Sequence, residues 1–136
     1  MKKKEIICLF TFAIYIFFVL YTTIFRFSFY YSERQVNLKL FTDLINVLRN
    51  VGIGEFSRLF LGNIGWFVPF GFLLPIILKR KSLLTTIIAG LMFSFFIETM
   101  QFIFYKGVAE LDDLILNTLG AAIGYFIYYL YCKMRK

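Results

Sequence analysis

Glu98 and Gln101 interrupt the apolar run LLTTIIAGLMFSFFIETMQFIF, and Asp112, Asp113 and Asn117 interrupt AELDDLILNTLGAAIGY. Carboxylates and amides can trade hydrogen bonds, exchange a proton or hold a hard cation through oxygen. An ionisable group inside an apolar run is costly, and it marks a functional site by default. Ser94, Glu98, Gln101 and Tyr105 follow one another at spacings of 4, 3 and 4, which puts them on one helical face. Asp113, Asn117, Gly120 and Gly124 form a second stripe. Asp112 points about 100° away from that stripe. Two structural roles compete with chemistry: Glu98 as interhelical hydrogen-bond glue, and Asp112 as a negative charge complementing a helix N-terminus.

The missing residue types narrow the chemistry. The chain has no histidine, and its two cysteines, Cys8 and Cys132, lie at the ends of the first and last apolar runs. Zinc sites of the usual ligand set are excluded, as are Cys/His and Ser-His-Asp catalysis. Ser94 is the only nucleophile on the Glu98 face, and it lacks a base of the usual kind. The cysteines are expected to face a reducing compartment without pairing.

The elements that position these groups follow from composition. The 136 residues are 60% hydrophobic and 21% aromatic, with mean hydropathy +0.77. A water-soluble domain of this length cannot hide so much apolar surface. Apolar runs at about 6–25, 59–78, 83–104 and 114–132 predict an all-α membrane protein, a single domain over 1–136 built on four transmembrane helices. The first run exceeds a signal h-region and lacks a small-residue cleavage site, so it reads as a retained anchor. Lys2, Lys3 and Lys4, Lys79, Arg80 and Lys81, and Lys133, Arg135 and Lys136 alternate to one side of the four runs. Both termini are therefore expected in the cytoplasm, with a multi-pass placement in the plasma membrane. The net charge of +7 suits an anionic leaflet. The basic residues are short and juxtamembrane, with no nucleic-acid patch among them.

With that orientation, Glu98 lies on the order of 10 Å below the outer end of its span. Asn63 and, one turn deeper, Phe67 enter the second span from the same side. Pro69 and Pro75 each remove a helical hydrogen bond, to the carbonyls of Gly65 and Gly71, and predict a kinked helix. In lipid such carbonyls need protein, water or a ligand. Asn63, Glu98, Gln101, Asp113 and Asn117 thus share one depth on three helices, and the pattern predicts an outward-facing polar pocket. In the outer loop, 26–58, Phe41, Leu44, Ile45 and Leu48 share one face and predict an interfacial amphipathic helix that VGIGE terminates. GAAIG, with Gly120 and Gly124, offers a surface for close helix approach.

RQVNLKLF, GNIGWFVPFGFLLP, ETMQ and ELDDLILNTLGAAIGY occur in an order that resembles the VanZ-like family of membrane proteins. The resemblance covers about residues 34–125. The matching positions are Arg34 and Asn37 in the outer loop, Asn63, Phe67, Pro69 and Gly71, then Glu98 and Gln101, and finally Asp112, Asp113, Asn117 and Gly120. Leu40 stands where the family usually has proline before Phe41. Gly107, beside Lys106, replaces an arginine, and Glu110 replaces an aspartate.

The resemblance implies an association with reduced susceptibility to teicoplanin and other lipoglycopeptides in Gram-positive bacteria. The favoured expectation is a binding protein and not an enzyme. It would have no cofactor, and its partner would be membrane lipid, a lipid-linked cell-wall component or the lipoglycopeptide. The alternative is an intramembrane hydrolase or transferase on a lipid or isoprenoid-linked substrate. There Glu98 would be the acid or base, and Asp113, with Asp112, would hold Mg²⁺. A third expectation is an assembly partner that joins another membrane protein through its glycine faces.

Overall fold

The computed structural model describes residues 3–25 and 31–135. Lys2 and Lys136, two of the flanking cations, lie outside the described residues. Helix α1 (Lys3–Leu20) continues into a π-helical turn over Tyr21–Phe25. Strand β1 (Gln35–Asn37), helix α2 (Thr42–Asn50) and helix α3 (Ile53–Leu78) follow. Helix α4 (Leu83–Ile103), strand β2 (Val108–Glu110) and helix α5 (Leu111–Met134) complete the order. The stretches Glu5–Ile24, Ile53–Leu78, Leu83–Ile103 and Leu111–Met134 are each long and apolar enough to cross a membrane. The chain is an all-α membrane protein.

The second long helix begins at Ile53, earlier than the expected 59, because Gly52 at φ 116 turns the chain and the helix starts at once. Both prolines lie inside α3. The Tyr15 hydroxyl donates to the Trp66 carbonyl at 2.6 Å, one residue beyond the carbonyl that Pro69 leaves free. At the start of α4, Ser82 accepts the Thr85 backbone N–H at 3.2 Å, an ordinary N-cap. Its other end closes with Tyr105 in the left-handed region, and the Lys106 N–H reaches back to the Gln101 carbonyl at 2.9 Å.

Helices α3 and α5 pack closest. A Cβ on Gly120 would stand 2.2 Å from the Ile64 carbonyl oxygen, and one on Gly124 would stand 2.1 Å from that of Val68. The GAAIG surface is therefore filled by α3 of the same chain, and is not left open for the outside helix of the assembly hypothesis. Gly71 of α3 meets Ala121 in the same way. Around this seam Val19, Phe67, Phe70, Leu74, Ile97 and Ala121 form the core. The Phe70 and Phe93 rings stack with centroids 5.4 Å apart, joining α4 to it.

The two ends of the bundle differ. At one, Lys79 pairs with Glu5 at 2.9 Å, joining the end of α3 to the start of α1. At the other, β1 and β2 pair in parallel, with Gln35 opposite Val108, Val36 opposite Ala109 and Asn37 opposite Glu110. These strands, absent from the all-helical expectation, tie the loop after the first long helix to the loop before the last. Helix α2 lies beside them, but it buries Leu44 and half-buries Val47 while Ile45 and Leu48 stay exposed. The apolar face of Phe41, Leu44, Ile45 and Leu48 is thus only partly used. Asp112 fixes the helix at Phe41, and that anchor sets which side turns inward.

Candidate functional site

Each long helix sends polar side chains into one cavity of about 270 Å³ at the strand end of the bundle. Asn63, Trp66, Phe67 and Arg58 come from α3, Ile97, Glu98 and Gln101 from α4, and Asp113 and Asn117 from α5. Val19, Thr22 and Thr23 complete the wall from the first long helix and its π-helical turn.

The polar groups are bonded to one another and to backbone. Asn63 donates its Nδ2 to Asp113 Oδ1, joining α3 to α5. Glu98, only 6% exposed, accepts the Glu110 backbone N–H on Oε2 at 3.0 Å. Gln101 Nε2 donates to the Thr23 carbonyl at 3.2 Å. Asn117 Nδ2 donates to Ser94 Oγ at 2.9 Å, with both residues buried. Arg58, the one cation on the wall among the described residues, is paired with Glu55 on its own helix. The wall therefore has more acceptors than donors to offer a guest.

Two neighbouring spaces share these residues. Beneath α2, a cavity of about 250 Å³ is lined by Asp43, Leu44, Val47, Leu59, Asn63, Glu110 and Asp113, so the Asn63–Asp113 bond is a common wall. Between α4, the strands and α5 lies a groove of about 180 Å³, lined by Val36, Leu38, Phe95, Glu98, Ala109, Glu110, Leu111 and Leu114. Glu98 is the wall that groove shares with the polar cavity. Burial, and then the charges of Asp113, Asp43 and Asp112, hold the Glu110 carboxyl up at about 7 from its ordinary 4.5.

Of the residues singled out in the sequence, Asn63, Phe67, Glu98, Gln101, Asp113 and Asn117 line one cavity. Asp112 does not. It is 2% exposed, and both of its oxygens accept the Phe41 backbone N–H, at 2.8 and 3.0 Å. Its carboxylate clamps the loop, a role different from both the pocket lining and the Mg²⁺ pair expected of it. Among the described residues no group of three or more His, Cys, Asp or Glu is arranged to hold a metal ion.

Ser94 is fully buried and occupied by Asn117, and Tyr105 caps α4 away from the cavity. The Arg34 guanidinium lies over the rings of Phe102 and Tyr105, 5.5 and 5.0 Å from their centroids. Asn37 donates to Asp43 Oδ2 at 2.6 Å and accepts the Lys39 N–H at 3.0 Å. Neither loop residue lines the cavity.

Residues 12–132 match the family described as VanZ/LLP1. The chain belongs to the VanZ/LLP1 family. It is also similar to Protein VanZ of Enterococcus faecium, with 33% identity over 100 residues, which is 74% of this chain and 56% of that protein. The chain thus spans a little over half the length of this curated relative. No solved structure matches it. In this VanZ/LLP1 member, sequence reading missed the cavity lining of Thr22, Thr23, Arg58 and Trp66. The one available signal was the Thr-Thr pair near the end of an otherwise apolar run.

Proposed function

We propose that this VanZ/LLP1 member modulates cell-surface susceptibility to teicoplanin and related lipoglycopeptides. Its outward-facing cavity would do so by engaging a lipid-linked envelope component or the antibiotic itself. One observation carries the reading: Asn63, Glu98, Gln101, Asp113 and Asn117, drawn from three helices, surround a single cavity. Polar groups kept only as glue would have no reason to converge on shared empty space. The family supports the link to glycopeptide resistance. The excess of cations at the terminal end, where Lys79 meets Glu5, supports placing that end in the cytoplasm of a plasma-membrane protein and the cavity at the outer face.

The test is expression of the wild type and Glu98→Gln in a susceptible Gram-positive host, with teicoplanin and vancomycin susceptibility compared. The wild type is expected to raise the teicoplanin value and Glu98→Gln to lose that effect. If neither protein changes either value, the reading fails.

The enzymatic alternative rests on Glu98 and Asp113 lining the same cavity, where a carboxyl could serve as acid or base on a lipid substrate. Its weak point is the nucleophile, because Ser94 is sealed against Asn117. An unchanged lipid profile between expressing and non-expressing cells would count against it.

A further inference from the structure

The groove and the cavity that meet at Glu98 have opposite characters. The groove is walled by Val36, Leu38, Phe95, Ala109, Leu111 and Leu114. Phe95 lies on a stretch long and apolar enough to cross a membrane, and with Leu38 it is left exposed, at 64% and 71%, so a bilayer around that stretch would meet the groove from the side. Hydrocarbon can enter it without leaving an apolar medium. On the other side of Glu98, the cavity offers two carboxylates, two asparagine amides, a glutamine amide and two threonine hydroxyls. Glu110 lines the groove beside Glu98, and Asp43 lies one cavity further under α2. Among the described residues the single cation on the cavity wall is Arg58, which pairs with Glu55 on its own helix.

Resting on the reading of this cavity as a ligand site, we propose that its ligand is an amphiphile with one aliphatic chain and an amine-bearing head. The chain lies in the groove of Val36, Leu38 and Ala109, and the head is held by Glu98 and Asp113. Among the described residues, a phosphate head would meet those carboxylates with no cation on the wall but the Glu55-paired Arg58 to offset the repulsion. An ammonium or amino-sugar head supplies the donors that the wall lacks, and charge-assisted hydrogen bonds favour it. Glu98 is the partition between the two spaces, so a head that reaches Asp113 from the groove does so by displacing the Glu98 side chain from the Glu110 N–H. The device therefore selects on two properties at once, a tail reached from the lipid and a donor-rich head.

The only tryptophan of the chain, Trp66, lines the cavity and reports its occupancy. The full chain in phosphatidylcholine nanodiscs is titrated with tetradecyl glucosaminide carrying a free amine, and with tetradecyl phosphate, while Trp66 emission is followed. The amino sugar is expected to change emission saturably, with tetradecyl phosphate at least about ten-fold weaker. Glu98→Gln should reduce that preference. Ala109→Phe, which fills the groove, and the milder Leu38→Ser at its exposed rim should each weaken the amphiphile. If the phosphate binds as well as or better than the amine, the proposed head-group class is wrong while the cavity remains a ligand site. Equal binding by both groove variants and the wild type overturns the chain placement. If neither amphiphile changes Trp66 emission saturably, the cavity is not a site for amphiphiles and the underlying reading falls with the proposal.

Discussion

Asp112 holds Phe41, 71 residues earlier in the chain, by taking its backbone N–H on both carboxylate oxygens. Phe41 sits at φ 54, a left-handed conformation that a non-glycine residue adopts only when its surroundings impose it. The clamp therefore sets where α2 begins and how it is rotated over the cavity beneath it.

Removing that acceptor leaves a part-buried N–H without a partner. Asp112→Ala is expected to cost about 1–3 kcal/mol. The measurement is thermal unfolding in a mild detergent. Asp112→Asn keeps one acceptor oxygen and should lose less.

The glycine seam gives a sharper contrast. Gly120→Ala puts a methyl group against the Ile64 carbonyl backbone, whereas Gly65→Ala on α3 meets nothing within 4 Å. Gly120→Ala should destabilise by about 1–3 kcal/mol or more, because α3 has to move away. Gly65→Ala should be neutral or mildly stabilising. Midpoint temperatures of the two variants, purified side by side, check this. Equal values would mean that the α3–α5 approach is looser than described.

Ser94 and Asn117 can be separated as structure or chemistry by a double-mutant cycle. Ser94→Ala leaves the Asn117 amide buried without its acceptor, at a cost of about 1–3 kcal/mol. Asn117→Leu in the same chain removes the stranded donor, so the double variant should recover part of the loss. A Ser94→Ala protein with undiminished stability but no effect on teicoplanin susceptibility would instead assign the hydroxyl a direct role.

Glu110 makes stability depend on pH. Its carboxyl is raised from 4.5 to about 7, so between those values the folded chain binds a proton that the unfolded chain has released. Stability from this group is thus fully present below about 4.5 and is lost as pH rises through about 7. The wild type should lose midpoint temperature relative to Glu110→Gln as pH goes from 5 to 8. Parallel curves for the two proteins would contradict the assignment.

Local contrast made part of this site legible before the structure. Glu98, Asn63 and Asp113 stand out because a polar group in an apolar run is costly, and helical spacing then places it on a face. Thr22 and Thr23 escaped notice because their hydroxyls bond carbonyls of their own helix, at Phe18 and Val19, which makes them tolerable in an apolar span. The role of Asp112 was hidden for a different reason. Its partner is a backbone N–H in a distant loop, and no periodicity carries that information. The strands were equally illegible, since three residues on each side give no alternating pattern. In α2 the apolar face was readable, but the side turned inward depended on the Phe41 anchor.

The pairing of Gln35 with Val108 has a consequence for the order in which the molecule is built. A chain emerging from the ribosome N-terminus first has its first three long helices in hand before β2 exists. Until Val108–Glu110 arrives, β1 has no edge to join, and Glu98 lacks the backbone N–H it accepts from Glu110. Asp113 and Asp112 arrive later still, bringing the partner of Asn63 and the clamp on Phe41. The cavity is thus completed in the last act of biogenesis, and a nascent chain stalled after its third span carries Glu98 with its ring of partners unfinished.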